Sequence, residues 1–83
     1  MQIHADIRDF IRRDLARDVA GVDDEQSLLE AGILDSLGVL ALVSFIEERY
    51  GIAVLEDELL PENFDSIEAI AAFVGRRRGD PRA

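Results

Sequence analysis

Ile3, Ile7, Phe10, Ile11 and Leu15 recur at steps of four, three, one and four, and Asp6, Arg8, Asp9, Arg12 and Arg13 fall between them. That pattern is one apolar stripe on an otherwise charged helix. It predicts a first amphipathic helix that stops before Gly21. Residues 21–34 show no sustained period and carry Asp23-Asp24-Glu25 and Ser27-Leu28-Leu29-Glu30. Ser27 and Glu30, three apart, have the spacing to cap one short turn. A connection this long is expected to pack Leu28 and Leu29 into the core and to border something functional, although a plain spacer is an equal alternative.

The longest apolar-periodic stretch opens at Leu34-Asp35-Ser36-Leu37 and runs to Tyr50 before Gly51, which suits the left-handed backbone past a helix end. Asp35 is the expected N-cap, making Ser36 the first residue inside this second helix. Ile52-Ala53-Val54 is too short for more than an extended connector, and residues 56–64, with Pro61 among them, support a turn or two of helix. Asp65 and Glu68 are spaced as a capping box for a last helix with Ile67, Ile70, Ala71 and Val74 on its buried face, ending near Arg77. The predicted fold is all-α, a small antiparallel four-helix bundle of three main helices and one short one, with a long first loop.

Composition then narrows the chemistry. A chain of 83 residues closes a single core, expected over residues 3–76, and residues 77–83 form a basic tail. With no cysteine and one histidine, His4, at the N-terminal end, no zinc site, disulfide or cysteine nucleophile is expected, and no metal is expected to bind. No apolar run reaches the 18 or so residues of a membrane span, and the start lacks the regions of a signal peptide, so a cytoplasmic location and a monomer are expected. The net charge of −9 is uneven: residues 1–20 are neutral, residues 21–75 carry −12, and residues 76–83 carry +3. Such acidity repels phosphate backbones and argues against nucleic acid as a partner. Arg76, Arg77 and Arg78 read as cations offsetting a helix dipole, with Gly79 and Pro81 marking the stop.

Ser36 is the residue that invites a chemical role. As a hydrolytic nucleophile it lacks a nearby base and a Gly-x-Ser-x-Gly elbow, and Asp23-Asp24-Glu25 lacks the alternating ligands of a calcium loop, so no catalytic residue is assigned. A hydroxyl on the first turn of a helix nevertheless sits among unpaired N–H groups at the positive end of the dipole, where a phosphate is favoured. Ordinary helix capping is the competing explanation.

The string Gly32-Ile33-Leu34-Asp35-Ser36-Leu37, followed by Glu47-Glu48-Arg49-Tyr50-Gly51-Ile52 and later by Leu60-Pro61-Glu62-Asn63-Phe64-Asp65-Ser66-Ile67, resembles the acyl and peptidyl carrier protein family over residues 3–76. The resemblance implies that Ser36 carries 4′-phosphopantetheine, derived from coenzyme A, as a phosphodiester. It implies that Asp35 helps a phosphopantetheinyl transferase recognise the site and that Leu37 forms part of the docking surface. Acyl or aminoacyl groups would ride on the arm's thiol as thioesters, loaded by one enzyme and passed to downstream synthase or modifying enzymes, with no catalysis by the chain itself.

Helical geometry divides the second helix. Val39, Leu42, Val43, Ile46 and Tyr50 gather on one arc, with Leu40 at its border, and are expected to face the core. Leu37, Gly38, Ala41, Ser44, Phe45 and Glu48 gather opposite. The expected docking residues are therefore Leu37, Gly38, Ala41 and Phe45, with Glu47 and Glu48 guiding approach; for Phe45 the alternative is a side chain folded back onto the third connection. Many carriers of fatty acid synthesis resemble this chain but place acidic residues where Gly38 and Ala41 stand. The departure argues against a fatty acid synthase assignment, and the resemblance around residues 32–39 and 60–67 implies a free-standing carrier of nonribosomal peptide or polyketide type. A fatty acid carrier, a D-alanyl carrier, or an unmodified acidic adaptor that binds a basic partner are the alternatives.

Overall fold

A computed structural model describes residues 2–78. Its elements are α1 (Gln2–Asp14), α2 (Ser36–Tyr50), a 3₁₀ turn (Glu56–Glu58), α3 (Pro61–Phe64) and α4 (Ile67–Arg78). Among the described residues there is no strand, and no helix is long and apolar enough to cross a membrane. This is the expected small four-helix bundle. Of the expected basic tail, Arg77 and Arg78 belong to the last turn of α4, and residues 79–83, with Gly79 and Pro81, lie outside the described residues.

The stripe of α1 packs as its spacing predicts: Ile3, Ile7, Phe10 and Ile11 are buried and Leu15 is half-buried. The helix ends at Asp14, well before Gly21, because Ala16 turns into the left-handed region at φ 55° and lets the Arg17 N–H reach back to the Ile11 carbonyl at 3.2 Å. This is a left-handed closure of the helix end, made here without glycine.

The long first loop is tied at both ends rather than draped. Arg8 donates to the carbonyls of Val19 (2.8 Å) and Val22 (2.6 Å) and to Asp24 Oδ1 (2.7 Å). Arg8 holds the Asp24 carboxyl below its usual range, by hydrogen bond and by charge. The Glu68 N–H donates to the Asp24 carbonyl at 2.8 Å, and His4 Nε2 pairs with Glu68 at 2.9 Å. His4 is thus fastened between α1 and α4. His4, Asp24 and Glu68 bring three ligand-type atoms within 4.8 Å of one another, and Arg8 and the imidazole are hydrogen-bonded to the two carboxylates.

Three sequence expectations change here. Leu28 is fully buried as expected, whereas Leu29 is 39% exposed. Asp65 does not cap α4; its Oδ1 accepts from Ser27 Oγ (2.7 Å) and the Leu29 N–H (3.3 Å), and its carbonyl accepts from the Leu28 N–H (2.6 Å). With Asp65 drawn away by the first loop, Ser66 takes the cap and accepts from the Ala69 N–H at 3.0 Å. Phe73 joins Ile67, Ile70, Ala71 and Val74 in the core, stacked at a tilt 5.4 Å from Phe64.

The third change concerns α2, which is apolar nearly all round. Leu42 and Ile46 are fully buried, and Val39, Val43 and Tyr50 are half-buried. Leu40, expected at the core border, is 57% exposed. Gly38, Ala41 and Phe45, expected on an outward arc, lie towards α1: Gly38 is buried, Ala41 is half-buried, and Phe45 stacks on Phe10 with ring centroids 4.6 Å apart. Their spacing of three and four residues makes a second stripe, and α1 occupies it. Gly51 closes the helix at φ 69°, its N–H bonding the Glu47 carbonyl at 3.0 Å.

Candidate functional site

Ser36 is exposed at the first position of α2. Asp35 precedes it in extended backbone, φ −128°, and its Oδ1 accepts the Gly38 N–H at 2.7 Å while its carbonyl accepts the Val39 N–H at 2.8 Å. The expected cap is in place. It leaves the N–H groups of Ser36 and Leu37 without acceptors inside the helix, next to the serine hydroxyl. Leu34 lies beneath: a Cβ placed on Gly38 would stand 3.2 Å from Leu34 Cδ2 and 3.3 Å from Asp35 Oδ1. Glycine therefore lets Leu34 and the capping carboxylate close tightly under the serine.

Around Ser36 the surface is apolar. Leu37 is 76% exposed on α2, and Leu40 follows one turn later. On the side facing α3, an open groove of about 220 Å³ is lined by Leu29, Ser36, Val39, Leu59, Leu60, Pro61 and Phe64. Among the described residues its lining includes no histidine and no charged group. A larger groove of about 340 Å³ lies between α1 and α2, but charged residues such as Asp6, Arg13 and Arg49 line it and Ser36 does not.

The connector that carries Leu59 and Leu60 is held from three directions. Glu47 Oε2 accepts the Val54 N–H at 2.8 Å, Glu58 Oε1 accepts the Leu55 N–H at 2.9 Å and pairs with Arg77, and Asn63 Nδ2 donates to the Glu58 carbonyl at 2.8 Å. The Leu55 N–H bond, with Arg77 adding to it, lowers the Glu58 carboxyl below its usual range. Glu47, expected to guide partners, is thus engaged in holding this connector, whereas Glu48 is exposed.

The structure brings together Asp35, Ser36 and Leu37 as expected, buries Gly38 under the Asp35 cap, and turns Ala41 and Phe45 towards α1. Periodicity misses Leu29, Leu40, Leu59 and Leu60 as site residues. The available signal is the run Leu59-Leu60-Pro61, too short to bury both leucines in a single turn.

The arrangement fits a phosphodiester on Ser36: an accessible hydroxyl, unpaired N–H groups beside it, and an apolar groove opening at the attachment atom. Comparison with known proteins agrees. The family described as phosphopantetheine attachment site matches residues 5–74. A probable acyl carrier protein, PigG, of Serratia sp. (strain ATCC 39006) is 30% identical over 74% of this chain and 70% of its own length. The D-alanyl carrier protein of Streptococcus sanguinis (strain SK36) is 31% identical over 94% of this chain and 98% of its own. Among solved structures, a chain from a crystal structure described as that of an FAD-dependent dehydrogenase superposes with a TM-score of 0.70 at 38% identity, covering 82% of this chain and 97% of that one.

Proposed function

The chain belongs to the phosphopantetheine-attachment family of carrier proteins, whose cofactor is 4′-phosphopantetheine, and on that premise we propose that Ser36 is the attachment point. Ser36 Oγ displaces adenosine 3′,5′-bisphosphate from coenzyme A within a phosphopantetheinyl transferase, forming the phosphodiester and losing its proton. When bound, the group supplies the thiol that this cysteine-free chain lacks, and cargo is held there as a thioester. Asp35 keeps the first turn closed, the N–H groups of Ser36 and Leu37 face the new negative charge, and the chain performs no catalysis of its own.

The observation that carries the finer reading is the surface beside Ser36. Leu37 and Leu40 are exposed there, and neither carries a charge. Partner enzymes then meet an apolar patch, with Glu48 and the loop acids steering the encounter. This supports a carrier for acyl or aminoacyl groups in a nonribosomal peptide or polyketide pathway. The 38% identity to a chain from a structure described as that of an FAD-dependent dehydrogenase supports an FAD-dependent dehydrogenase as one partner. A D-alanyl carrier is the second reading, favoured by the nearly full-length match to the streptococcal proteins.

Hydroxylamine release of the group from protein purified from its source tests this. An amino acid other than D-alanine, or a specialised acyl group, is expected. Released D-alanine selects the second reading, and a straight-chain fatty acid overturns both.

A further inference from the structure

A lone histidine forms no spaced metal motif, so composition gives no reason to expect an ion on this chain. The fold supplies a grouping that spacing does not. His4 stands on the first turn of α1, Asp24 in the long first loop and Glu68 on the first turn of α4. His4 Nε2 is 2.9 Å from Glu68 Oε1, and one ligand-type atom from each of the three residues lies within 4.8 Å of the other two. The set is held from outside itself: Arg8 bonds Asp24 Oδ1 together with the Val19 and Val22 carbonyls, and the Glu68 N–H bonds the Asp24 carbonyl. The same Arg8 bond, with its charge, keeps the Asp24 carboxyl ionised. His4 and Asp24 are half-buried and Glu68 is exposed, so the group is open to solvent on one side.

The geometry points to a site for a borderline divalent cation such as zinc, ligated by His4 Nε2, Asp24 and Glu68, with water completing the shell. A separate observation concerns the imidazole: His4 Nδ1 is buried and, among the described residues, has no hydrogen-bond partner. No group there fixes the tautomer. The proton can leave Nε2 while one is taken up at Nδ1, which gives up no bond at Nδ1, keeps the ring neutral and frees the Nε2 lone pair for the ion. The bond from Nε2 to Glu68 is exchanged for two bonds to the metal. Bonds of about 2.0–2.2 Å place neighbouring ligand atoms roughly 3–3.5 Å apart, and the exposed Glu68 side chain can make the inward movement this needs. One nitrogen and two carboxylates suit zinc or cobalt, whereas magnesium and calcium take oxygen ligands. Two carboxylates against Arg8 leave one negative charge to receive the cation. The bound ion ties α1, the first loop and α4 at a single point.

The test titrates zinc chloride into the full chain, freed of metal by a chelator and kept in excess magnesium chloride so that diffuse attraction to the acidic surface is saturated. Calorimetry should show a single equivalent of zinc bound, the His4 ring resonances should shift, and the melting temperature should rise. His4→Gln retains a donor for Glu68 and Glu68→Gln retains an acceptor for His4, so both variants should keep the wild-type circular dichroism, and each should weaken zinc binding at least tenfold. Zinc binding abolished by magnesium, or zinc that binds without moving the His4 resonances, would overturn the site. Wild-type zinc affinity in either variant would do the same.

Discussion

Tyr50 donates its phenolic hydrogen to Asp6 across 2.7 Å, joining the last residue of α2 to the second turn of α1, while Arg49 approaches the same carboxylate at 3.3 Å and Arg78 stands 5.3 Å above the Tyr50 ring. Burial, then the bond to Asp6, pushes the phenol up from 10.0 to about 12. Tyr50 is the sole tyrosine and the chain has no tryptophan, so its absorbance reports this joint without interference. The folded state holds the proton more tightly than the unfolded chain. The stabilisation is complete below pH 10 and is lost as pH rises towards 12. A spectrophotometric titration should show phenolate appearing near pH 12, and Asp6→Asn should move it down towards 10. A wild-type midpoint near 10 would contradict the joint.

Ala16 holds a left-handed backbone that costs a residue with a Cβ about 1–2 kcal/mol, partly offset by the greater chain entropy glycine loses on folding. Ala16→Gly is therefore expected to stabilise the protein by about 0.5–1 kcal/mol, raising the melting temperature by several degrees. Thermal unfolding followed by circular dichroism measures it. A lower melting temperature would show that the α1 terminus does not close through residue 16.

Asp35 combines a cap with a recognition role, and two substitutions separate them. Asp35→Ala removes the acceptor of the Gly38 N–H and should cost about 1 kcal/mol in urea unfolding. Asp35→Asn keeps an acceptor and should cost only a few tenths. If a transferase reads the carboxylate charge, both variants should be modified more slowly. Normal modification of the Asn variant would leave Asp35 as a cap alone.

Leu40 is exposed and Phe45 packs on Phe10, the reverse of the placements that spacing suggests for them. Leu40→Glu sits on exposed surface and should leave stability within about 0.5 kcal/mol while weakening loading by the cognate enzyme several-fold. Phe45→Glu breaks the stack on Phe10 and should cost about 2 kcal/mol or more. Loading kinetics and urea unfolding on the two variants check both halves. Unchanged loading of the Leu40 variant would place the docking face elsewhere.

How far the sequence reaches follows from these residues. The stripe of α1 is legible because charged residues flank it, so a single face can be buried. On α2 the apolar residues surround the helix, and periodicity cannot say whether Phe45 or Leu40 meets a neighbour; the position of α1 decides. Asp65 and Ser66 both satisfy local capping rules, and a bond to Ser27, 38 residues away, determines which one caps. Asp35-Ser36 is readable because capping is local. The groove beside it is not, since Leu29 and Leu59-Leu60 come from opposite halves of the chain.

The account turns on Ser36, and intact-mass spectrometry tests it most directly. After incubation with coenzyme A and a broad-specificity phosphopantetheinyl transferase, the wild-type chain should gain a single phosphopantetheine increment and Ser36→Ala none. No increment on the wild type under conditions that modify a control carrier, or an increment that persists in Ser36→Ala, would contradict it.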